Sequence, residues 1–206
     1  MTTAALPRRR VRVVTHLGAI AQLAALGIIG AVVFTILITL LSVGVSLVPV
    51  LGIGLLFLVA FVYALWATSW LEYERVEGLY GYGLPMLRTR SSGQPGFGGW
   101  LRTLWRQFVD GSMWRGVASA VIATILGLLV LPAIAWLVAG FGLLLSPFTE
   151  YTRVPWGVVD IEPAWGVALG ILSILASAAL LFGIALLHAT LTRAILVPSR
   201  EAALAA

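Results

Sequence analysis

Charged residues are absent from three long stretches of the chain, and this pattern predicts its architecture. No Asp, Glu, Arg or Lys occurs at 13–71, 116–149 or 165–192. A single helix over the first stretch would measure about 90 Å at ~1.5 Å per residue, whereas the hydrocarbon core of a bilayer is about 30 Å thick. The first stretch is therefore long enough for two crossings, and each of the others for one. We predict an all-α integral membrane protein with four transmembrane helices arranged as two hairpins.

The connection inside the first stretch is predicted from its turn-forming residues. Gly44, Pro49 and Gly52 lie within 42–54, a composition that favours a tight turn. Pro132 lies inside the third span and is expected to kink it. We interpret the whole chain, 1–206, as one membrane domain with an N-terminal arm at 1–16, spans at 17–41, 51–70, 116–145 and 165–187, a central polar segment at 71–115, an outer segment at 146–164 and a tail at 188–206.

Composition and the placement of arginine give the expected orientation. The chain is 61 % hydrophobic, so lipid has to be the solvent for much of it. It contains no Lys, and twelve of its thirteen arginines lie in the arm, the central segment and the tail, with only Arg153 in the outer segment. Basic residues favour the cytoplasmic side, so both termini are predicted to be cytoplasmic. Because the arginines flank apolar spans, the positive charge does not indicate nucleic-acid binding.

The central segment carries most of the remaining charge. Trp66 and Trp70 are expected at the membrane interface, with Glu72 and Arg75 beyond it in water. The second helix is expected to end within 78–85, which is rich in glycine.

An amphipathic helix is predicted at 97–110. Aromatic and leucine side chains recur there at helical spacing, with arginine on the opposite face, which is typical of a helix lying in the membrane interface. Packing against another domain is the alternative. The residues that we expect to contact a partner are Trp100, Arg102, Trp105, Arg106, Trp114 and Arg115.

Few residues in the sequence are candidates for catalysis, cofactor binding or metal binding. There is no Cys, the only histidines are His16 and His188, and the predicted spans contain no charged residue. We therefore predict no catalytic, cofactor-binding or metal-binding residues, and no enzyme. The outer segment is the most site-like surface, able to bind a cationic or lipid-like ligand or a divalent ion, or else simply anchored by its aromatics. Its candidate ligand-sensing residues are Glu150, Tyr151, Trp156, Asp160 and Glu162.

Three sequence elements resemble a known family. They are a Ser-x-Gly turn in Leu41-Ser-Val-Gly-Val-Ser-Leu, an exit helix in Leu71-Glu-Tyr-Glu-Arg-Val-Glu-Gly-Leu-Tyr-Gly, and an Asp-x-x-x-Trp-Arg element at Asp110-Gly-Ser-Met-Trp114-Arg115. Over 17–198 the chain resembles the Putative sensor domain family of actinobacteria, a four-helix membrane region often fused to histidine kinases. The resemblance implies a multi-pass protein of the bacterial cytoplasmic membrane with a sensing role. No kinase follows Arg200, so we expect this chain to act without a fused output domain.

Two functions follow as expectations. The first is a non-enzymatic sensor or regulatory module that acts in signal transduction through a histidine kinase, a regulator or a transport ATPase. The second is an accessory or transporter-like subunit of a membrane complex. Membrane lipid and a second copy of the chain are further expected partners, and an enzyme acting on lipid at the interface is a third alternative.

Overall fold

A computed structural model describes residues 13–50, 52–87, 89, 92–148, 154–156 and 159–204. These residues form five α-helices, a short 3-10 turn at Ser146–Phe148 and two three-residue strands. The bounds are α1 Val13–Leu47, α2 Gly54–Tyr80, α3 Phe97–Phe108, α4 Gly111–Leu144, β1 Val154–Trp156, β2 Val159–Ile161 and α5 Pro163–Leu204.

Four of the helices are long and apolar enough to cross a membrane. The stretches concerned are Thr15–Leu47, Gly54–Tyr80, Gly111–Leu144 and Trp165–Pro198. Each exceeds the ~20 residues that a bilayer requires. The prediction of four helices long and apolar enough to span a membrane is therefore confirmed, whereas their arrangement as two hairpins and the orientation stay predictions.

The turn between α1 and α2 is shorter than expected. Helix α1 continues through Gly44 to Leu47, and Gly52 adopts the left-handed backbone region with φ of +72° in the connection that follows. Gly44 is a packing residue, because a Cβ atom there would lie 2.8 Å from Cδ2 of Leu58 on α2. The glycine-rich composition thus reflects close contact between two helices as much as a break in the chain.

Helix α2 extends well past the predicted span. It includes Glu72 and Arg75 and ends at Tyr80, where Gly81 in the left-handed region donates its N–H to the Glu77 carbonyl at 2.8 Å. The end falls inside the predicted range, but the expectation that Glu72 lies in water is wrong. Its side chain is only 3 % exposed, among the helices.

Small residues allow the membrane helices to approach each other closely. Helices α4 and α5 pack along much of their length, with Gly140 facing Gly170 and Ser146 facing Gly166. Helices α1 and α4 meet at Gly27, where an added Cβ would lie 2.7 Å from a backbone carbon of α4. Backbone contacts of this kind replace the hydrophobic effect, which is weak between helices in lipid.

The segment before α5 contains a feature that the sequence did not predict. Strands β1 and β2 pair antiparallel, with Val154 opposite Ile161 and Trp156 opposite Val159. Among the described residues, the regular structure is therefore helical apart from one small β-hairpin.

Candidate functional site

Six polar side chains from all four membrane helices form a buried polar cluster. Helix α1 supplies one of them, α2 three, α4 one and α5 one. The members are Gln22, Glu72, Arg75, Tyr80, Ser119 and His188. A connected polar network inside helices that cross a membrane is costly unless its members satisfy each other, and it is typical of functional positions.

An ion pair within α2 is the centre of the buried polar cluster. Arg75 donates Nε to Oε2 of Glu72 at 2.9 Å and Nη2 to Oε1 at 2.7 Å. The two-pronged geometry is the strongest that a guanidinium and a carboxylate make. The Glu72 and Arg75 side chains are 3 % and 15 % exposed, so little water competes for the pair. Glu72 is further held by Ser119 of α4, whose hydroxyl donates to Oε1 at 2.7 Å.

His188 of α5 connects the ion pair to Tyr80 and is fully buried. Its Nε2 lies 3.2 Å from Nη2 of Arg75, and its Nδ1 lies 2.7 Å from the Tyr80 hydroxyl oxygen. A guanidinium can only donate, so Nε2 must accept and the imidazole is neutral. Its proton is then on Nδ1 and is donated to Tyr80. This geometry leaves neither ring nitrogen open to a metal ion.

Helix α1 joins the buried polar cluster through one longer contact. Arg75 donates Nη1 to Oε1 of Gln22 at 3.3 Å. The guanidinium therefore contacts α1 and α5 as well as its own helix. The two interhelical distances, 3.2 and 3.3 Å, exceed both distances within the ion pair.

The loop after α2 continues the polar contacts. Tyr82 stacks on Tyr80 with ring centroids 5.2 Å apart and donates its hydroxyl to the Ala189 carbonyl of α5 at 3.2 Å. Burial raises the pKa of the Tyr82 phenol, and the charge of Arg193 opposes that shift. The loop is closed by Glu77, whose carboxylate accepts the backbone N–H groups of Gly83 and Leu84 at 3.0 and 2.8 Å. This loop is thereby attached to both α2 and α5.

The residues predicted to contact a partner lie on or beside α3. Trp105 is 67 % exposed, and Trp100 is 37 % exposed and donates its indole N–H to the Tyr63 hydroxyl at 3.2 Å. Trp114 donates to the Phe108 carbonyl at 2.7 Å, which connects α4 to α3. The three arginines of the set, Arg102, Arg106 and Arg115, are all exposed.

Helix α3 has three distinct sides. Leu104 and Gln107 are buried against the protein, whereas Phe97, Leu101 and Trp105 form an exposed apolar side. Arg102 and Arg106 follow on a third side, and Arg102 donates to the Gln94 carboxamide oxygen. The pattern agrees with an amphipathic helix, while its location in the membrane interface stays a prediction.

Only three of the five candidate ligand-sensing residues lie among the residues that the structure describes. Glu150 and Tyr151 lie outside the described residues. Trp156 and Asp160 belong to the paired strands, and Glu162 is an exposed residue just before α5. The β-hairpin brings the backbones of Pro155 and Asp160 opposite each other, and a ligand role for this segment stays a prediction.

The buried polar cluster was missed by the sequence analysis, although two signals pointed to it. Glu72 and Arg75 have the i,i+3 spacing of an intrahelical pair in a helix that was expected to continue beyond the span. His188 lies next to an apolar run, where an ionisable side chain is a functional candidate by default. That the two signals belong to one site depends on the packing of α2 against α5.

The comparisons with known proteins support the resemblance noted in the sequence. The family model described as Putative sensor matches residues 23–196. The chain belongs to the Putative sensor family. The matched stretch contains five of the six members of the buried polar cluster, and membership suggests a sensor role. The comparison with curated proteins and the comparison with solved structures each found no match.

Proposed function

We propose that this Putative sensor family member is a non-enzymatic membrane module that changes its helix packing in response to a stimulus and passes the change to a partner protein. The buried polar cluster is the observation that carries the proposal, because it contains a polar contact from every membrane helix. Because each of these contacts ends on α2, a stimulus that displaces α2 alters its contacts with the other three helices.

The strengths of the contacts favour a two-state arrangement. The ion pair of Glu72 and Arg75 is short and lies within α2, so it persists when helices shift. The contacts from Arg75 to Gln22 and His188 are longer and join different helices, so they are the ones to break. Each such hydrogen bond from a charged donor contributes about 1.5–3 kcal/mol net. Two packings that differ by these contacts would be separated by a few kcal/mol, the range in which ligands shift populations.

Helix α3 is suited to report the change. Trp100 attaches it to α2 through Tyr63, and Phe108 attaches it to α4 through Trp114. A displacement of α2 relative to α4 would therefore tilt or shift α3. Its exposed Trp105 and Arg106 then supply the partner surface, since tryptophan and arginine are enriched in interface hot spots. In the predicted orientation α3 lies on the cytoplasmic side, where a histidine kinase, regulator or transport ATPase would meet it.

The test is co-purification of the full chain from native membranes in mild detergent, with bound proteins identified by mass spectrometry. We expect a recurrent partner that is lost in Trp105→Ala/Arg106→Ala. Met86→Ala removes an equally exposed apolar side chain outside α3 (Met86 is 74 % exposed) and should retain the partner. Elution volume and thermal stability should be the same for all three proteins. A wild-type chain that brings down no recurrent protein, or a double variant that keeps its partner, contradicts the proposal.

A second function is favoured by the same ionisable groups. Buried carboxylate, guanidinium and imidazole groups in membrane helices also occur along proton and ion pathways. A transporter-like subunit would show proton or cation flux in proteoliposomes that Glu72→Gln abolishes. Liposomes that stay as tight with the protein as without it would reject this function and leave the sensor proposal intact.

A further inference from the structure

A cavity of about 640 Å³ lies between the middle of α4 and the middle of α5. We name it the α4–α5 groove. Its walls include Leu129, Pro132 and Trp136 from α4 and Leu180, Gly183 and Leu187 from α5. No lining side chain carries a charge, a hydroxyl or an amide. The volume is within the range of ligand sites in proteins, roughly 300–1,000 Å³.

The α4–α5 groove is space that the packing of the two helices leaves unfilled on their outward side. Where they touch, a side chain does not fit: a Cβ at Gly170 would lie 2.8 Å from the Gly140 carbonyl oxygen. At Gly183 an added Cβ would meet no atom within 4 Å. Helix packing therefore does not require a glycine at 183, and its missing side chain leaves open space opposite Pro132.

The surroundings of the α4–α5 groove indicate what fills it. Leu129, Leu180 and Trp136 are 52 %, 51 % and 61 % exposed, so the groove opens onto the outward surface of two membrane-spanning helices. That surface contacts lipid, and the groove is continuous with it. A ligand with several hydrogen-bonding groups would lose its water there and find no side-chain partner besides the indole of Trp136, which costs several kcal/mol. A hydrocarbon chain has no hydrogen-bonding group and therefore avoids this cost.

We propose that the α4–α5 groove binds one acyl chain of a bilayer lipid, which enters sideways from the membrane. The binding does not depend on the proposed sensor function, but it supplies that function with a stimulus. Leu187 in the wall adjoins His188, whose side chain lies fully buried in the buried polar cluster. An acyl chain that fills or leaves the groove would move this part of α5, and with it the contact from His188 to Arg75.

Photo-crosslinking of the purified full chain in lipid nanodiscs tests the binding without any partner protein. The probe is a phosphatidylglycerol with a diazirine on one acyl chain, present as a small fraction of the lipid, and adducts are located by peptide mass spectrometry. We expect adducts on 129–136 and 180–187 to exceed those on Ile28 and Val32 several-fold, although these α1 residues are 61 % and 56 % exposed. Gly183→Leu should fill the groove and remove that excess.

Gly142→Leu is the matched control. Gly142 lies on α4, and an added Cβ there would meet no atom within 4 Å, but the residue does not line the groove. It should leave the labelling unchanged. Gly183→Ala serves as a second, milder variant, with an intermediate loss expected, in case the leucine disturbs folding. Equal labelling of all lipid-facing helices would show that the probe reports only the lipid that surrounds the protein, and would overturn the proposal. So would a groove closed by a second copy, detected as a disulfide between two chains that carry Leu180→Cys.

These outcomes are separate from those of the sensor proposal. Loss of the groove adducts with the partner still recovered would remove the lipid as stimulus and keep the signalling function. Groove adducts without a recurrent partner would keep the lipid binding and reject the signalling function.

Discussion

One guanidinium connects three of the four membrane helices. Arg75 satisfies its charge on Glu72 and uses the remaining N–H groups on Gln22 and His188. Arginine can do this because its planar fork presents several donors in fixed directions, which a lysine ammonium does not. The residue therefore holds helices together without leaving an uncompensated charge among them.

Glu72 should be the residue on which Arg75 depends most. Glu72→Gln removes the charge that compensates the guanidinium, and we expect the free energy of unfolding to fall by about 3 kcal/mol, since breaking buried pairs costs roughly 3–5 and Arg75 keeps 15 % exposure. Unfolding in mixed micelles by titration with SDS measures it. Glu74→Gln, which neutralises an exposed carboxylate on the same helix, is the control and should change little. Equal losses in both variants would mean that the ion pair does not stabilise the fold.

His188 is predicted to act as a neutral donor and acceptor. His188→Leu leaves Arg75 and Tyr80 each short of one hydrogen bond, so we expect a loss of about 1–3 kcal/mol. His16→Leu replaces a histidine that packs on the ring of Phe182 and should cost less. Combining His188→Leu with Tyr80→Phe should give less than the sum of the single losses, because both remove the same contact. Strict additivity would show that the 2.7 Å contact is not made in solution.

At the scale of elements, two glycines inside helices have opposite roles. Gly27 touches the backbone of α4, whereas an added Cβ at Gly78 of α2 meets no atom within 4 Å. The first is required by the contact between helices and the second is not. Composition alone cannot separate these roles, since both glycines lie inside helices.

Gly27→Ala should therefore destabilise the protein, and Gly78→Ala should not. The added methyl at Gly27 would lie 2.7 Å from a backbone carbon and must force α1 and α4 apart, at a cost typical of overpacking, about 1–3 kcal/mol. Alanine at 78 removes the entropy penalty of glycine in a helix and should add up to about 1 kcal/mol. The same SDS titration compares them. A neutral Gly27→Ala would mean that α1 and α4 are further apart in the membrane.

The helices were predictable because their sequence signal is long and local. Each span contains enough consecutive uncharged residues to cross a bilayer as a helix. In α3, apolar and basic side chains recur on separate faces at helical spacing. Boundaries were less predictable. The charge of Glu72 predicts the end of a span, whereas its contacts with Arg75 and Ser119 allow the carboxylate to be buried.

At the scale of the whole molecule, the site depends on contacts between distant parts of the chain. Gln22 is 53 positions from Arg75, and His188 is 113 positions from it. Hydrophobic patterning shows which helices exist but not which of their faces meet, so it could not place these three side chains together. The β-hairpin was missed for a different reason, because three-residue strands are too short for a recognisable alternation.

The orientation of the molecule can be tested because the chain contains no cysteine. Thr89→Cys lies in the central segment and Glu162→Cys lies just before α5, and both native side chains are exposed. With both termini cytoplasmic, a membrane-impermeant maleimide added to intact cells should label Glu162→Cys only. Thr89→Cys should react after the cells are opened. Labelling of Thr89→Cys in intact cells would invert the orientation and move α3 to the outside.

The position of Glu72 and Arg75 on the same helix also determines how the protein can be made. A charged side chain enters lipid at a high cost, but a pair three residues apart on one helix is complete as soon as that helix has formed. The pair of Glu72 and Arg75 can therefore pass from the insertion machinery into the bilayer as an electrically neutral unit of α2. Helices α4 and α5 leave the ribosome later and find the pair already neutralised, so they add only uncharged partners, Ser119 and His188. Biogenesis can then proceed one helix at a time, in the order of synthesis.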